Sequence, residues 1–390
     1  MKNHTCDSST EIYLLNQYCT NGLHSSGSYE CFKYYSSATE IIRHISGAWL
    51  VLIGLTGIIG NLATLTVIPY SAKRKRHGLD ENFNTTTVFI LHLLFIDLLH
   101  CFVMVLPQGI SYSSNSSPFG WRGCQIILFG GISTFVADML AISLVALSRC
   151  LDMVVKEKWT NFCDKRRNVF MVLLLVWIPS LLTLLHLMII QVHGIEAGWN
   201  CETGGCGFVR SCKLYENTKL FTDVAHRFTQ CNDGTDIWRL TYFSTICVPI
   251  CSLIVIIVSY LVIWYKVHQS TKHFQHDTRE MATRLNQRDI KMTRTVLILV
   301  VLNFLFWLPY GILTLTSTLT SKPSPSTAEI YILKIISVNI FESQYAINFF
   351  IYVARSEQYR NSFLDVLRIT GRKLNIIAQS RMKRKEYDEH

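Results

Sequence analysis

Charge is scarce in this chain. Only 16% of its 390 residues are Asp, Glu, Lys or Arg, against about 25% in an ordinary soluble domain, and this argues against a body surrounded by water. Paired C-x2-C spacing is missing and no histidine pattern accompanies the cysteines, so a structural zinc site is disfavoured. The chain also lacks a nucleophile elbow and has no two matching halves with broken helices, which places a membrane enzyme or a transporter low. No internal repeat or low-complexity tract is present. The stretch after Met1, MKNHTCDSST, is polar, so no cleaved leader is expected and the first apolar run should act as its own insertion signal. No cysteine follows Cys251, so the carboxyl-terminal stretch offers no thiol for acylation.

What the chain does have is long apolar runs. Seven occur, at about 46–70, 84–107, 123–149, 168–191, 239–265, 292–317 and 329–353, each near the roughly 20 residues that a helix needs to cross a bilayer. A backbone in lipid must satisfy its own hydrogen bonds, so the runs read as helices. The competing reading is a soluble helical protein, which so many long runs with so few charges disfavour. The net charge of +10 does not point to nucleic acid, because it is segregated. With the amino terminus outside, 26 of the 37 Lys and Arg fall on the inner side, and KRKR (73–76), DKRR (164–167), the 266–294 segment and RMKRK (381–385) carry the excess. That is the positive-inside bias, and the clusters read as loops facing lipid headgroups.

The same orientation sorts the remaining polar features. Asn3 and Asn115 head Asn-x-Ser/Thr triplets on the outer side and are glycosylation candidates, whereas Asn84 falls inside and should stay unmodified. Of 13 cysteines, eight lie outside: Cys6, Cys19, Cys31, Cys124, Cys201, Cys206, Cys212 and Cys231. An even set in an oxidising compartment suits disulfides. Cys101, Cys150, Cys163, Cys247 and Cys251 lie in spans or face the cytosol and are expected to be free.

One marker recurs in each span, in several of them a polar residue, and charged groups at bilayer depth usually mark function. They are Asn61 in GIIGNLATL, Asp97 in LHLLFIDLLH, Arg149 in SLVALSRCLDMV, Trp177, Pro249, FWLPY (306–310) and NFFIY (348–352). In this order and spacing the chain resembles a rhodopsin-family (class A) G-protein-coupled receptor over residues 46 to about 370. The TGGC stretch (203–206) is in addition similar to melatonin-like receptors, opsins and the moody and trapped-in-endoderm receptors of insects.

The resemblance implies roles for particular residues. Ser148, Arg149 and Cys150 stand at the Asp/Glu-Arg-Tyr switch, with Ser148 unable to supply the neighbouring charge. Asp289, 20 residues before Pro309, matches the family's inner partner on the sixth helix, so an Arg149–Asp289 pair that breaks on activation is expected. Asp97 matches the carboxylate of an allosteric sodium ion, with Asn61 and Asn348 nearby. Asp138 takes a position where a serine is common, and two carboxylates sharing one site need a cation or a proton between them. Alternatively Asp138 is neutral and merely bonds a neighbouring helix. Beyond this sodium, no metal or cofactor is expected.

Glu342 stands where retinal-binding members carry their lysine, so no Schiff base can form. Its contact is either a ligand or a polar group on the second span such as His100. Gly131 replaces the aspartate with which amine receptors hold ammonium groups, which disfavours a biogenic amine. Trp307 and Tyr310 should line the pocket floor, with Val338 beside Glu342. Pro249 and Pro309 should kink their helices and provide hinges, together with Tyr352. Phe349 replaces the proline of Asn-Pro-x-x-Tyr, Asn303 a phenylalanine, and Tyr260 lies three residues late. Cys206 resembles the loop cysteine that pairs with Cys124. The other outer cysteines would then clamp the amino terminus to the loop, although six thiols allow 15 pairings.

The expected architecture is all-α. It comprises an extracellular amino terminus (1–45), seven transmembrane helices (46–353, with a long outer loop at about 192–238), an amphipathic helix (354–370) on the inner leaflet and a cytoplasmic tail (371–390). The expected function is conversion of an extracellular ligand, favoured as a peptide, into heterotrimeric G-protein activation at the plasma membrane, with arrestin and membrane lipids as further partners. A receptor that captures ligand or recruits arrestin without G-protein coupling is the alternative.

Overall fold

In a chain surrounded by hydrocarbon, apolar side chains have no reason to turn inward, and the helices must be held by shape and by buried polar groups. The computed structural model follows this rule. It describes residues 37–76, 85–114, 118–192, 195–200, 205–210, 235–273, 279–319 and 328–355, with scattered positions as far as 368. Leu181, Leu182, Leu185, Phe170, Ile257, Leu261 and Trp264 all point outward, whereas Asn61, Asp97, Asp138, Arg149, Glu342 and Asn348 are buried.

The long helices are α1 (Ser37–Arg76), α2 (Thr85–His100), α4 (Gly120–Val154), α6 (Arg166–Val192), α7 (Thr235–His273), α8 (Arg279–Leu319) and α9 (Ala328–Arg355). A π-helical turn, Cys101–Val105, joins α2 to the short α3 (Leu106–Ser113), and α5 (Lys156–Cys163) follows α4. Contacts run α1–α2–α4–α6–α7–α8–α9 and back to α1, closing a ring, while α4 also touches α7 and α8 across it. The centre is therefore α4, whose most apolar stretch is 72% buried, and α6 is an outer post, 11% buried. Among the described residues, six stretches are long and apolar enough to cross a membrane, including one that runs from α2 through α3. α9 is a 28-residue helix that falls short of that measure, which accords with the polar residues it carries inward. The 354–370 amphipathic helix and the 371–390 tail lie largely outside the described residues.

Two local devices set the geometry. Pro107 stands at the start of α3, where its ring would strike the carbonyl four residues earlier in a regular helix. The π-helical turn that precedes it absorbs this conflict and re-aims the following side chains. Gly120 opens α4 with φ +62°, a conformation that favours glycine. Beyond the helical body, β1 (Ile195–Asn200) and β2 (Gly205–Arg210) pair antiparallel, with Trp199 opposite Cys206. This hairpin is the one strand pair among the described residues of an otherwise helical chain, and it rests against α4. The periodic apolar runs that define the helices carry no signal for it.

α1 and α3 approach backbone to backbone. A Cβ on Gly109 would lie 2.7 Å from the Val51 nitrogen and 3.0 Å from the Gly47 carbonyl, and one on Gly47 2.8 Å from the Ser113 nitrogen. Small residues at such crossings let membrane helices touch. Gly109→Val should therefore force α1 and α3 apart and lower stability by about 1–3 kcal/mol, as overpacking does. The thermal midpoint of the purified protein in detergent measures this, and an unchanged midpoint would contradict the contact.

Candidate functional site

The polar residues of the interior form a column with three levels. At mid-depth the sequence LHLLFIDLLH buries Leu93, Leu94, Ile96, Asp97 and His100, so Asp97 and His100, one turn apart, share the inward face. Asn348 Nδ2 donates to Asp97 Oδ2 at 2.6 Å, and Asn61 Nδ2 donates to the Tyr345 carbonyl at 2.9 Å. The expected trio of Asn61, Asp97 and Asn348 is thus brought together from α1, α2 and α9. Asp138 of α4 lies within electrostatic reach of Asp97. Both Asp138 oxygens, Asp97 Oδ1, Asn61 Oδ1 and Asn348 Oδ1 are buried and receive no hydrogen bond. So many unmet acceptors around two carboxyl groups is the donor set of a cation or of a shared proton, and the residues fit a sodium ion on that ground.

One turn further along α2, His100 Nδ1 lies 2.7 Å from Thr134 Oγ1, and its Nε2 lies 3.0 Å from Glu342 Oε2. The hydrogen-bond inventory fixes the protons. Thr134 Oγ1 spends its single hydrogen on the Gly130 and Gly131 carbonyls at 2.8 and 3.0 Å, so it can only accept from His100, and Nδ1 carries a proton. The Nε2–Oε2 contact then holds one further proton, either as imidazolium and carboxylate or as imidazole and carboxylic acid. The pair is neutral in both forms. Tyr345 stacks on the imidazole with ring centroids 3.8 Å apart. Of the partners considered for Glu342, the structure provides His100.

At the inner end, Ser148 and Arg149 are buried. Arg149 Nη1 lies 3.7 Å from Asp152 Oδ2, one turn along the same helix. Thr86 Oγ1 donates to Asp152 Oδ2 at 3.0 Å and contacts Ser148 Oγ at 3.2 Å, so Ser148 donates to Thr86. The carboxylate missing from position 148 is therefore supplied by Asp152, a residue that motif reading passed over, although its spacing of three from Arg149 was visible in the sequence. Tyr260 of α7 also lies within electrostatic reach of Arg149. Cys150 is buried beside them. The Asp289 side chain, and with it the expected Arg149–Asp289 pair, lies outside the described residues.

The expected ligand-pocket residues are packed rather than open. Tyr310 stacks on Phe341 at 5.1 Å, and Phe341 meets Phe135 at 5.4 Å and Tyr345 at 6.0 Å, both edge-on. Trp307 sits edge-on to Phe304 at 6.4 Å. A Cβ on Gly131 would lie 2.7 Å from Met104 Sδ, so the π-helical turn fills the space there. Val338 is half-buried on α9. A cavity of about 600 Å³ opens elsewhere, between α1, α8 and α9, and none of these five expected residues lines it. Pro249 and Pro309 lie inside α7 and α8 as expected.

Cys124 is disulfide-bonded, and Cys101, Cys150, Cys163, Cys247 and Cys251 are free. The side chains of Cys206 and Tyr352, the cysteines Cys6, Cys19, Cys31, Cys201, Cys212 and Cys231, and the candidates Asn3 and Asn115 lie outside the described residues. Sequence reasoning also left out the partner of Trp177, whose Nε1 donates to His92 Nε2 at 3.0 Å.

The His100–Glu342 pair yields a sharp expectation. His100→Ala leaves a buried carboxyl without its partner and should lower stability by about 3–5 kcal/mol. Glu342→Gln, whose amide can still donate to Nε2, should cost far less. Thermal unfolding of the two purified variants checks the order, and equal losses would refute the pairing.

Comparison with known proteins agrees with this geometry. The family model described as "7 transmembrane receptor (rhodopsin family)" matches residues 60–352. A melanopsin-like protein of Danio rerio is 24% identical over 284 residues, covering 71% of this chain and 49% of that protein. Human melanopsin is 26% identical over 279 residues, covering 70% and 52%, and protein trapped in endoderm-1 of Drosophila melanogaster 25% over 252 residues, covering 64% and 54%. The chain spans about half the length of these curated relatives. With the family model matched over most of the chain and buried polar residues brought together from α1, α2, α4 and α9, the chain belongs to the rhodopsin family of seven-transmembrane receptors.

Proposed function

We propose that this chain is a G-protein-coupled receptor of the plasma membrane, with α9 as its seventh crossing, its amino terminus outside and its carboxyl terminus in the cytosol. One observation carries the reading: the buried polar column that runs from Glu342 and His100, through Asp97 and Asp138, to Arg149 and Asp152. A ligand at the outer face biases the upper level, and the lower level faces the G protein. The mechanism is a population shift, in which agonist binds the open form better than the closed one. Residues 354–370 lie on the inner leaflet as an amphipathic helix, and Cys206 closes the disulfide from Cys124.

The ligand is neither retinal held by a Schiff base nor a biogenic amine. Glu342 occupies the lysine position, and Gly131 offers no carboxylate. A peptide suits the long second outer loop, which presents a hairpin and several cysteines. Sodium, held by Asp97 and Asp138 with Asn61 and Asn348, would favour the closed form by satisfying acceptors that otherwise face one another. Arrestin joins the open inner mouth as a second partner.

Two measurements test this reading. Agonist-free nucleotide exchange on a panel of G proteins, with receptor in lipid nanodiscs, should rise on Asp152→Asn. The rise should be at most about fivefold, since a partly exposed ion pair contributes 1 kcal/mol or less. Asp289→Asn should act in the same direction. Exchange indistinguishable from empty nanodiscs in every G protein would favour the alternative, a receptor that captures ligand or recruits arrestin alone.

The sodium reading has its own readout. The thermal midpoint in sodium chloride should exceed that in choline chloride at equal ionic strength, because a ligand of the folded state stabilises it. The difference should shrink in Asp138→Ser and vanish in Asp97→Asn. Equal midpoints for the unaltered protein would mean that the two carboxyl groups share a proton instead.

A further inference from the structure

The inward face of α8 is apolar except at one place. Val296, Leu299 and Val300 are buried and join the main hydrophobic core. Asn303 follows them one turn on and is 3% exposed, the one fully buried polar side chain among the described residues of α8. Its Oδ1 is buried and receives no hydrogen bond. Asn61 Oδ1 and Asn348 Oδ1 share that condition, but they belong to the Asp97 level, whose carboxyl groups call for a cation or a proton. Asn303 belongs to no level of the polar column.

A carbonyl held away from water without a donor costs free energy. That cost lasts only while the surroundings stay dry. Asn303 lies six residues before Pro309, about 9 Å towards the inner end at 1.5 Å per residue. It therefore sits on the half of α8 that leans mainly on α9 and only slightly on α4 and α7. When that half moves away from α4, water from the inner side reaches the carbonyl and donates to it. The same atom is thus unmet in the closed form and hydrated in the open one, which is a difference between the two states and not a uniform loss of stability.

We propose that Asn303 sets the resting balance of the bundle: its unmet carbonyl raises the closed form relative to the open form, so that the chain opens more readily without ligand. The inference rests on the receptor reading above for the movement of α8. Asn303 is in this respect a positioning residue. It touches no ligand and acts through the helix that carries it.

The full-length receptor in lipid nanodiscs, with trifluoromethylphenylalanine encoded in place of the exposed Arg294 at the inner end of α8, tests this by fluorine NMR. Asn303→Leu keeps the branched outline without the carbonyl, and the ratio of open to closed signal should fall about tenfold, a factor within the cost of one unmet buried carbonyl. Asn303→Val, which is smaller, should fall likewise, so that overfilling of the site is not the cause. Asn303→Asp keeps an oxygen at this place and should not fall. Agonist-free nucleotide exchange should follow the same order, and the thermal midpoint of Asn303→Leu should rise. An unchanged or increased open fraction in Asn303→Leu overturns the proposal, as does an equal fall in Asn303→Asp. A sodium-dependent midpoint shift that disappears in Asn303→Leu also overturns it, because the carbonyl would then belong to the ion site. If the fluorine signals shift as stated while every G protein stays inert, the inference holds and the coupling reading fails.

Discussion

Everything in this molecule depends on burying ionisable groups in a bundle whose surroundings are as apolar as its core. In water, Asp97, Asp138, Glu342, His100 and Arg149 could each turn outward. Here the outside is hydrocarbon, so the only polar surroundings available are one another, and the helices must arrange themselves to meet that need. The apolar contacts fill space and differ little in energy from contacts with lipid tails. The polar ones therefore set which face of each helix turns inward, and hence the order and rotation of the ring.

The arrangement is economical because helical periodicity repeats the solution at each level. Asp97 and His100 lie one turn apart on α2, Thr134 and Asp138 one turn apart on α4, and Glu342, Tyr345 and Asn348 at successive turns of α9. These three faces meet twice, once at His100–Thr134–Glu342 and once at Asp97–Asp138–Asn348. Tyr345 links the two levels, stacking on His100 with its ring and accepting from Asn61 with its carbonyl. The two levels are thus joined through rigid helix, with no long chain of side chains between them.

Much of this was legible in the sequence, and the limits are physical. Hydrophobic length located six stretches able to cross a membrane among the described residues, because hydrocarbon thickness imposes it. The inward trio of Asn61, Asp97 and Asn348 was legible as well, through the family resemblance of the motifs that carry them and not through apolar periodicity. Asp152 was not, although it stands one turn from Arg149 on the helix, because the motif places its acids at position 148 and on the sixth helix at Asp289 and leaves position 152 unassigned. The His100–Glu342 bond could be framed only as one option, since pairing between α2 and α9 depends on ring closure, a non-local fact. The π-helical turn left a trace in Pro107, but a proline alone does not say how its clash is relieved. The outer hairpin left less still, because its register lies in backbone pairing within a loop of mixed composition.

The contacts also divide the ring into a stiff and a yielding part. On one side α1 is locked to α3 by glycines that leave no room for a Cβ and to α9 along much of its length. On the other, α8 leans mainly on α9 and only slightly on α4 and α7, and both α7 and α8 contain a proline, which removes a backbone hydrogen bond at mid-helix. Under the proposed receptor function, the movement that this uneven bracing favours is one of the inner half of α8, hinged near Pro309 and away from α4, where Arg149 lies buried. That movement would uncover the inner level of the polar column while leaving the two upper levels, which are built on α2, α4 and α9, in place. The outer and inner ends can then be coupled by degree of closure, because the two upper levels draw no acid or base from the helix that moves.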